Sequence, residues 1–160
     1  MGRNGEQGST PRGCSHPVFI GKHDRSLDDK GRLVLPSGFR RAFEDAGGGV
    51  LAPWDRCLGL WTRDHFEVVM DKLLAKVGDG EADDDVVRLF AGAAADVQLD
   101  TQGRFVVPED QRTHASISRE VKVLGQHHRI EIWDADRFAS VEGGKSADDV
   151  SAEIRRLRVF

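Results

Sequence analysis

One short motif occurs twice in this chain, at a separation of 72 residues. Residues 27–36 read LDDKGRLVLP, and residues 99–108 read LDTQGRFVVP. When residues 27–66 are compared with residues 99–138, ten of the forty positions are identical and no gap is needed. Two copies are too few for a solenoid, in which several repeats share one continuous core. The repeat therefore predicts two similar halves related by a pseudo-twofold axis.

The two halves have the same predicted order of elements, and this order indicates an α+β fold. In each half an extended run, the repeated turn, an apolar run that ends at proline and a short helix precede two further strands. The predicted strands are 18–22, 32–36, 50–53 and 58–61 in the first half, and 95–99, 104–108, 121–125 and 130–133 in the second. The predicted helices are 37–45, 63–77, 84–95, 109–116 and one within 146–160, and residues 139–149 are a predicted linker. Thr62 and Asp134 are predicted N-caps of the helices that close the two halves.

The composition limits the class of protein. The chain has no run of about 18 apolar residues, so the sequence predicts no membrane span and no membrane partner. Residues 1–17 are polar and rich in Gly and Ser, which predicts a disordered N-terminal arm. The two cysteines, Cys14 and Cys57, do not make a disulfide framework and are predicted to be reduced thiols of a cytoplasmic protein.

The charge of the chain is unevenly distributed. The formal net charge is −4, which argues against indiscriminate binding to nucleic acid. Residues 21–41, however, carry six Lys or Arg against three Asp. This pattern predicts a protein that presents a single basic face to a polyanion.

The repeated motif combines residue types that build a tight turn. The carboxylates of Asp28 and Asp100 are predicted to accept backbone N–H groups of the turn, and a glycine three residues later suits the positive φ of such a loop. Arg32 and Arg104 follow at the start of the next strand, close enough for the carboxylate to hold the guanidinium. An arginine fixed in this way loses less rotamer entropy when it binds an anion or a base edge. A purely structural role, in which the arginine only ties down the turn, is the alternative.

The surroundings of the two motifs differ in charge. Lys30 lies within the first motif, whereas the second has Gln102 at that position and is followed by two acids. We therefore expect the first copy to contribute more binding energy. Local charge adds four further candidate contact residues, which are Lys22, Arg25, Arg40 and Arg41.

No arrangement of residues indicates catalysis, a metal or a cofactor. The sequence has no nucleophile elbow, phosphate-binding loop or convergent pair of carboxylates. His127 and His128 lie at a predicted hairpin tip without a further ligand at suitable spacing, so we interpret them as surface residues. A small β-rich enzyme that uses this tip remains an alternative. Trp54, on another predicted hairpin, is a candidate for a subunit contact.

The sequence resembles the MraZ family of bacterial transcriptional regulators over residues 18–140. The resemblance rests on FIGKHDRSLDDKGRLVLPSGFR in the first half and on VQLDTQGRFVVPEDQR and VKVLGQHHRIEIWD in the second. It implies two tandem AbrB-like swapped-hairpin modules that form a pseudo-twofold, β-barrel-like core with flanking helices. The implied boundaries are module 1 at 18–66, a helical connector at 67–94, module 2 at 95–140, and a linker with a C-terminal helix at 141–160.

The resemblance also implies a function. Members of this family assemble into rings and bind short G-rich direct repeats in double-stranded DNA, usually as repressors of the operon for cell division and cell-wall synthesis. They act in the cytoplasm at the nucleoid, without a cofactor or a small-molecule substrate. The residues implied to face DNA are Asp28, Lys30, Arg32, Asp100 and Arg104. The alternative is an antitoxin-type AbrB-like module whose main partner is another protein.

Overall fold

The structure, a computed structural model, describes residues 17–160. The predicted disordered arm and Cys14 therefore lie outside the described residues, apart from Pro17. Within the described part, no helix has the length and apolar character needed to cross a bilayer.

The described residues form eight strands and six helices, so the α+β class predicted from the sequence is confirmed. The strands are β1 (Lys22–Ser26), β2 (Arg32–Val34), β3 (Gly49–Trp54), β4 (Cys57–Thr62), β5 (Ala95–Val97), β6 (Arg104–Val106), β7 (Glu120–Gln126) and β8 (Arg129–Asp134). The helices are α1 (Ser37–Asp45), α2 (Arg63–Gly78), α3 (Asp84–Ala93), α4 (Glu109–His114), α5 (Ala135–Gly143) and α6 (Ala147–Leu157). All strand pairings are antiparallel.

The two halves exchange strands. One sheet has the order β1-β7-β8-β4-β3-β5, and β2 pairs with β6 in a separate two-stranded ribbon. The first strand of each half therefore pairs with the third strand of the other half. These pairs are β1 with β7 and β5 with β3. Neither half has a complete sheet without the other. Barrel-like closure and the AbrB-like classification stay predictions.

The register of the strands confirms the pseudo-twofold relation. At the centre of the ribbon Leu33 is opposite Phe105, and at the centre of the main sheet Gly59 is opposite Glu131. Both pairs are separated by the 72 residues of the sequence repeat, so one axis passes through both centres. The strand order also reads the same from either edge when the halves are exchanged.

Two of the predicted boundaries are wrong by four residues or more. The first strand begins at Lys22, because Phe19 makes only an isolated bridge to His127 and the chain turns at Gly21, which has a φ of 103°. Helix α5 continues to Gly143, so the predicted linker at 139–149 shrinks to residues 144–146. The helix ends at the two glycines, with Gly143 as its last residue and Gly144 at the C-cap, which is where glycine favours a helix end.

The predicted helix starts are confirmed. The side chains of Thr62 and Asp134 accept the backbone N–H of His65 and Arg137, and so cap α2 and α5. Pro36 and Pro108 lie at the N-cap positions of α1 and α4, where the missing N–H costs nothing.

A single apolar core joins the two halves. Trp61 and Trp133, at equivalent strand ends, are both buried, as predicted. The largest cluster of buried apolar residues contains Leu33, Phe105 and the inner residues of the central strands. Cys57 is a free, buried thiol whose Sγ donates to the carbonyl oxygen of Trp54.

Each repeated turn is covered by an arginine from the other half. A Cβ atom added to Gly103 would overlap the side chain of Arg40, and one added to Gly31 would lie 3.2 Å from Cζ of Arg112. Arg40 is itself fixed, because its Nε donates to the carbonyl oxygen of Leu35 at 2.7 Å. The two turns and the two covering arginines therefore form a crossed arrangement that locks the halves together.

We expect Gly103→Ala to lower the free energy of unfolding more than Gly47→Ala does. Both glycines have a positive φ, 74° and 73°, which costs an alanine about 1–2 kcal/mol. Only Gly103 is covered, since nothing lies within 4 Å of a Cβ at Gly47. Displacing Arg40 would break its hydrogen bond and add roughly 1–3 kcal/mol. Denaturant unfolding measures the difference, and equal losses in the two variants would contradict this role of Arg40.

Candidate nucleic-acid interface

The β2–β6 ribbon has one buried face and one outer face. Leu33 and Phe105 point into the core. Successive side chains of a strand alternate between faces, so the neighbours of these two residues point outward. The outer face consists of Arg32, Val34, Arg104 and Val106. Both repeated arginines therefore point to the same side of the molecule.

The first turn holds Arg32 through one carboxylate. Oδ1 of Asp28 accepts the backbone N–H groups of Lys30 at 2.9 Å and Arg32 at 2.8 Å. Oδ2 of Asp28 accepts Nε–H of Arg32 at 2.6 Å. The turn is closed by Gly31, whose backbone N–H donates to the carbonyl oxygen of Asp28 at 3.0 Å and whose φ is 73°.

The second turn repeats this geometry. Oδ1 of Asp100 accepts the backbone N–H groups of Gln102 and Arg104, each at 2.9 Å. Oδ2 accepts Nε–H of Arg104 at 2.8 Å. Gly103 has a φ of 74°. The predicted carboxylate–guanidinium pairs are thus present in both halves.

These contacts orient the two guanidinium groups but use only part of their hydrogen-bond donors. Within residues 17–160, the hydrogen bonds of Arg32 and Arg104 side chains use only Nε, so both Nη atoms of each group are left for a ligand. The side chains are 32% and 27% exposed. In the antiparallel register the two arginines are diagonal neighbours, so their Cβ atoms lie roughly 7–8 Å apart. The ribbon therefore presents two oriented cations side by side.

The turn hydrogen bonds lower the pKa of both carboxyl groups. The pKa of Asp28 lies below its ordinary value of 3.8, chiefly because the carboxylate accepts the backbone N–H of Arg32. The pKa of Asp100 is lowered in the same way, chiefly by the backbone N–H of Arg104. Both carboxylates are therefore charged, and both pairs are intact, throughout the neutral range.

The other predicted basic residues lie in different settings. Lys30 is exposed within the first turn. Lys22 and Arg25 are three residues apart on β1 and therefore point to opposite faces of the sheet. Lys22 is on the face that α5 covers, where its Nζ pairs with Glu142 of α5 at 2.9 Å. Arg25 points to the opposite face and donates to the carbonyl oxygen of Asp24 at 2.8 Å. The structure therefore brings Lys30 to the turn of Arg32 and directs Lys22 elsewhere.

The two arginines of α1 also differ. Arg40 is half-buried over the second turn, where its hydrogen bond to Leu35 gives it a structural role. The side chain of Arg41 is 90% exposed and lies 3.7 Å from Asp45. Arg41 is free to contact a ligand, whereas Arg40 positions the loop that carries Arg104.

Sequence reasoning missed three residues at this surface. Val34 and Val106 share the outer face of the ribbon, and Val106 is 56% exposed. The alternation of side chains along β2 and β6 was the sequence signal for their outward direction. Arg119 is exposed, and its carbonyl oxygen accepts the backbone N–H of Leu27 at 2.9 Å, next to the first turn. No pattern in the sequence indicates that Arg119 lies next to Leu27.

The described residues do not assemble a catalytic centre. Burial raises the pKa of the Cys57 thiol far above neutrality, so it is not a nucleophile. His128 lies between His127 and His65, with ring centroids 3.8 Å and 4.9 Å away. Between residues 17 and 160, no three His, Cys, Asp or Glu side chains are grouped so that they could hold a metal ion.

We expect the carboxyl groups of Asp28 and Asp100 to titrate below pH 3.8. A lowered pKa means that the stabilisation is present at neutral pH and is lost as the pH falls through the folded-state pKa. Arg32→Leu should raise the pKa of Asp28, because it removes the guanidinium donor, while the backbone donors keep that pKa below its ordinary value. Asp100 is the internal control. Carboxyl NMR titration measures both groups, and an unchanged Asp28 would contradict the pairing.

The chain is similar to known proteins over most of its length. A family model described as "MraZ protein, putative antitoxin-like" matches residues 18–86 and again residues 89–158. The curated relatives include three proteins named "Transcriptional regulator MraZ". The one from Salinispora tropica is 37% identical over 139 residues, which is 79% of this chain and 96% of the relative. The one from Alkaliphilus metalliredigens is 34% identical over 89% of this chain and 100% of the relative, and the one from Clavibacter michiganensis is 39% identical over 88% and 99%.

These matches confirm the resemblance inferred from the repeated motif. They cover most of this chain and nearly the whole length of the relatives. The family consists of transcriptional regulators and not of enzymes, so the prediction that the chain is not an enzyme is also confirmed. The chain belongs to the MraZ family of transcriptional regulators and contains two tandem MraZ domains.

Proposed function

We propose that the protein regulates transcription by inserting the β2–β6 ribbon into the major groove of double-stranded DNA. The observation that carries this proposal is the outer face of the ribbon, on which Arg32 and Arg104 lie side by side and each is oriented by its own aspartate. The major groove admits a two-stranded β-ribbon, and strands are an established means of reading it.

The outer face has the chemistry needed to read base edges. Arginine forms two hydrogen bonds with O6 and N7 of guanine, and the free Nη atoms of Arg32 and Arg104 suit this contact. Val34 and Val106 provide apolar contacts of the kind that thymine methyl groups make. The neighbouring cations bind phosphates, which position the ribbon without reading sequence.

The first turn contributes more binding energy than the second. Lys30 is exposed in the turn that carries Arg32, and Arg119 is an exposed cation whose backbone is bonded to Leu27, next to that turn. The equivalent positions near Arg104 are Gln102 and Gly47, so the second turn has neither charge. We infer that phosphate contacts are concentrated at the first half.

The protein acts as an oligomer on direct repeats in a promoter region. One ribbon offers few contacts, so several copies that bind together gain affinity through effective concentration. The operon for cell division and cell-wall synthesis is the target, repression is the effect, and the cytoplasm at the nucleoid is the location. These assignments rest on membership in the MraZ family and on the resemblance of the repeated motif.

The second candidate function is that of an antitoxin-type module whose main partner is another protein. It is favoured by the words "antitoxin-like" in the description of the matching family. Copurification with a stable small protein, together with absent DNA binding, would favour it over the first.

We expect the double variant Arg32→Ala/Arg104→Ala to lose specific binding to the DNA upstream of its own gene. Each lost guanine contact should cost about 1–3 kcal/mol, and the preference over scrambled DNA should fall with it. Arg88→Ala, which removes an exposed arginine of α3, is the control and should bind normally. Gel-shift titration with matched oligomeric states measures the effect. Unchanged operator affinity of the double variant would refute the proposal.

We expect Lys30→Ala and Arg119→Ala to reduce the dependence of binding on salt. Each variant should lower the slope of log K against log salt by about one and weaken specific and scrambled DNA equally, because a phosphate contact carries no sequence information. Gln102→Ala, at the equivalent position of the second turn, is the matched control and should leave the slope unchanged. If neither Lys30→Ala nor Arg119→Ala lowers the slope, the proposed asymmetry is contradicted.

A further inference from the structure

An apolar groove lies between α2, α3 and the β3–β4 hairpin, within the first half of the molecule. Its volume is 330 Å³, and its apolar lining consists of Trp54, Val69, Leu73, Val86 and Phe90. This surface is not part of the proposed DNA interface. An apolar groove that stays open to water is a typical binding surface.

The floor of the groove is built from aromatic rings that contact one another. Trp54 contacts Phe90 edge to face at 6.4 Å and Trp61 at 6.0 Å. Phe90 in turn stacks on Phe66, with ring centroids 5.7 Å apart. A preformed groove binds a partner without the entropy cost of ordering its own side chains.

Helix α6 has an apolar stripe that is partly exposed in the described chain. Val150, Ile154 and Leu157 recur at helical spacing and are 44%, 37% and 56% exposed. Ser146 and Asp149 form a capping box that starts the helix. A helix of this length is marginal in water by itself and depends on packing of its apolar face.

The equivalent helix of the first half, α3, has packing partners that α6 lacks. Helix α3 follows α2 as α6 follows α5, and α3 packs on β3 and α2 through Phe90. Helix α6 has no such neighbour on β7 or β8, which are covered by α5. The linker of residues 144–146 spans at most about 11 Å, and none of the residues that line the groove belongs to α6.

The groove and α6 have opposite charge along their lengths. Lys72 of α2 lines the groove and Asp79 caps the end of that helix, and neither makes an ion pair within residues 17–160, whereas Lys76 is paired with Glu81 at 2.9 Å. Helix α6 begins with Asp148 and Asp149 and ends with Arg155 and Arg156. Arg156 is paired with Glu153 and Asp149 is bound by Ser146, which leaves Asp148 and Arg155 for a partner. Asp148 and Arg155 are seven residues apart, as are Lys72 and Asp79, which is roughly 10 Å along a helix. A helix lying parallel to α2 therefore places Asp148 near Lys72 and Arg155 near Asp79.

We propose that α6 of one copy docks into this groove on a second copy, with Val150, Ile154 and Leu157 against the apolar lining. The inference rests on the oligomer in the proposed function, for which it names the contact surfaces. Each copy offers one groove and one helix, so the contact is heterologous and repeats from copy to copy until the assembly closes.

Two single variants with matched controls test each side of the contact. Val86→Asp places a charge in the groove within the first turn of α3, where an acid suits the helix dipole, and Leu89→Asp is its control on the same helix outside the groove. Ile154→Asp disrupts the stripe of α6, and Ala152→Asp is its control on the opposite side of that helix. Light scattering after size-exclusion chromatography, without DNA, should give the monomer mass of 17.7 kDa for the first variant of each pair and the wild-type mass for its control. Circular dichroism verifies that all four variants are folded.

Mixing the two dissociated variants distinguishes docking from other causes. The Val86→Asp chain keeps an intact helix, and the Ile154→Asp chain keeps an intact groove, so an equimolar mixture should form a species of twice the monomer mass and stop there. A mixture that stays monomeric, assembly that survives both variants, or equal dissociation by Val86→Asp and Leu89→Asp would overturn the proposal. A monomeric wild-type protein would also overturn the docking proposal. The proposed roles of Arg32 and Arg104 would not be affected, because they are tested by the affinity of a single protomer for DNA.

Discussion

Much of this structure depends on one carboxylate in each half, which accepts three hydrogen bonds at once. Asp28 and Asp100 each bind two backbone N–H groups and one guanidinium Nε–H. The same contacts close the turn, start the next strand and set the direction of the arginine. A change that loosens the turn therefore also releases the side chain that we propose reads DNA.

The exchange of strands converts two separate turns into one surface. Because β2 and β6 come from different halves, Arg32 and Arg104 become neighbours only when both halves have folded together. Arg40 and Arg112 strengthen this dependence, since each covers the turn glycine of the other half. Half of the molecule alone would have neither the ribbon nor a complete sheet.

The features predicted well from the sequence are local. The hydrogen bonds and the positive φ of the repeated turn follow from residues within four positions of each other, and the capped helices follow from short patterns. The crossed position of Arg40, the outward direction of Val34 and Val106, and the approach of Arg119 depend on which strands pair across the halves. Local charge assigned Arg40 to a ligand, and the structure shows that it first has a packing role. The end of α5 was placed too early, because the packing of α5 on β7 and β8 is not visible in the local sequence.

A single chain with an internal axis has a freedom that a true dimer lacks. On an exact twofold axis two identical residues face each other, but here Leu33 faces Phe105 and Gly59 faces Glu131. Gly59 leaves room for the ring of Trp61, whereas Glu131 accepts Nε1–H of Trp133 at 3.0 Å and Nε–H of Arg129 at 2.9 Å. The apolar positions of the two copies need only complement each other, so they drift, while Asp, Gly and Arg are required in both turns by the same hydrogen bonds. The same freedom allows the two turns to differ in charge, with Lys30 in one and Gln102 in the other, and so permits a binding face that is oriented along DNA.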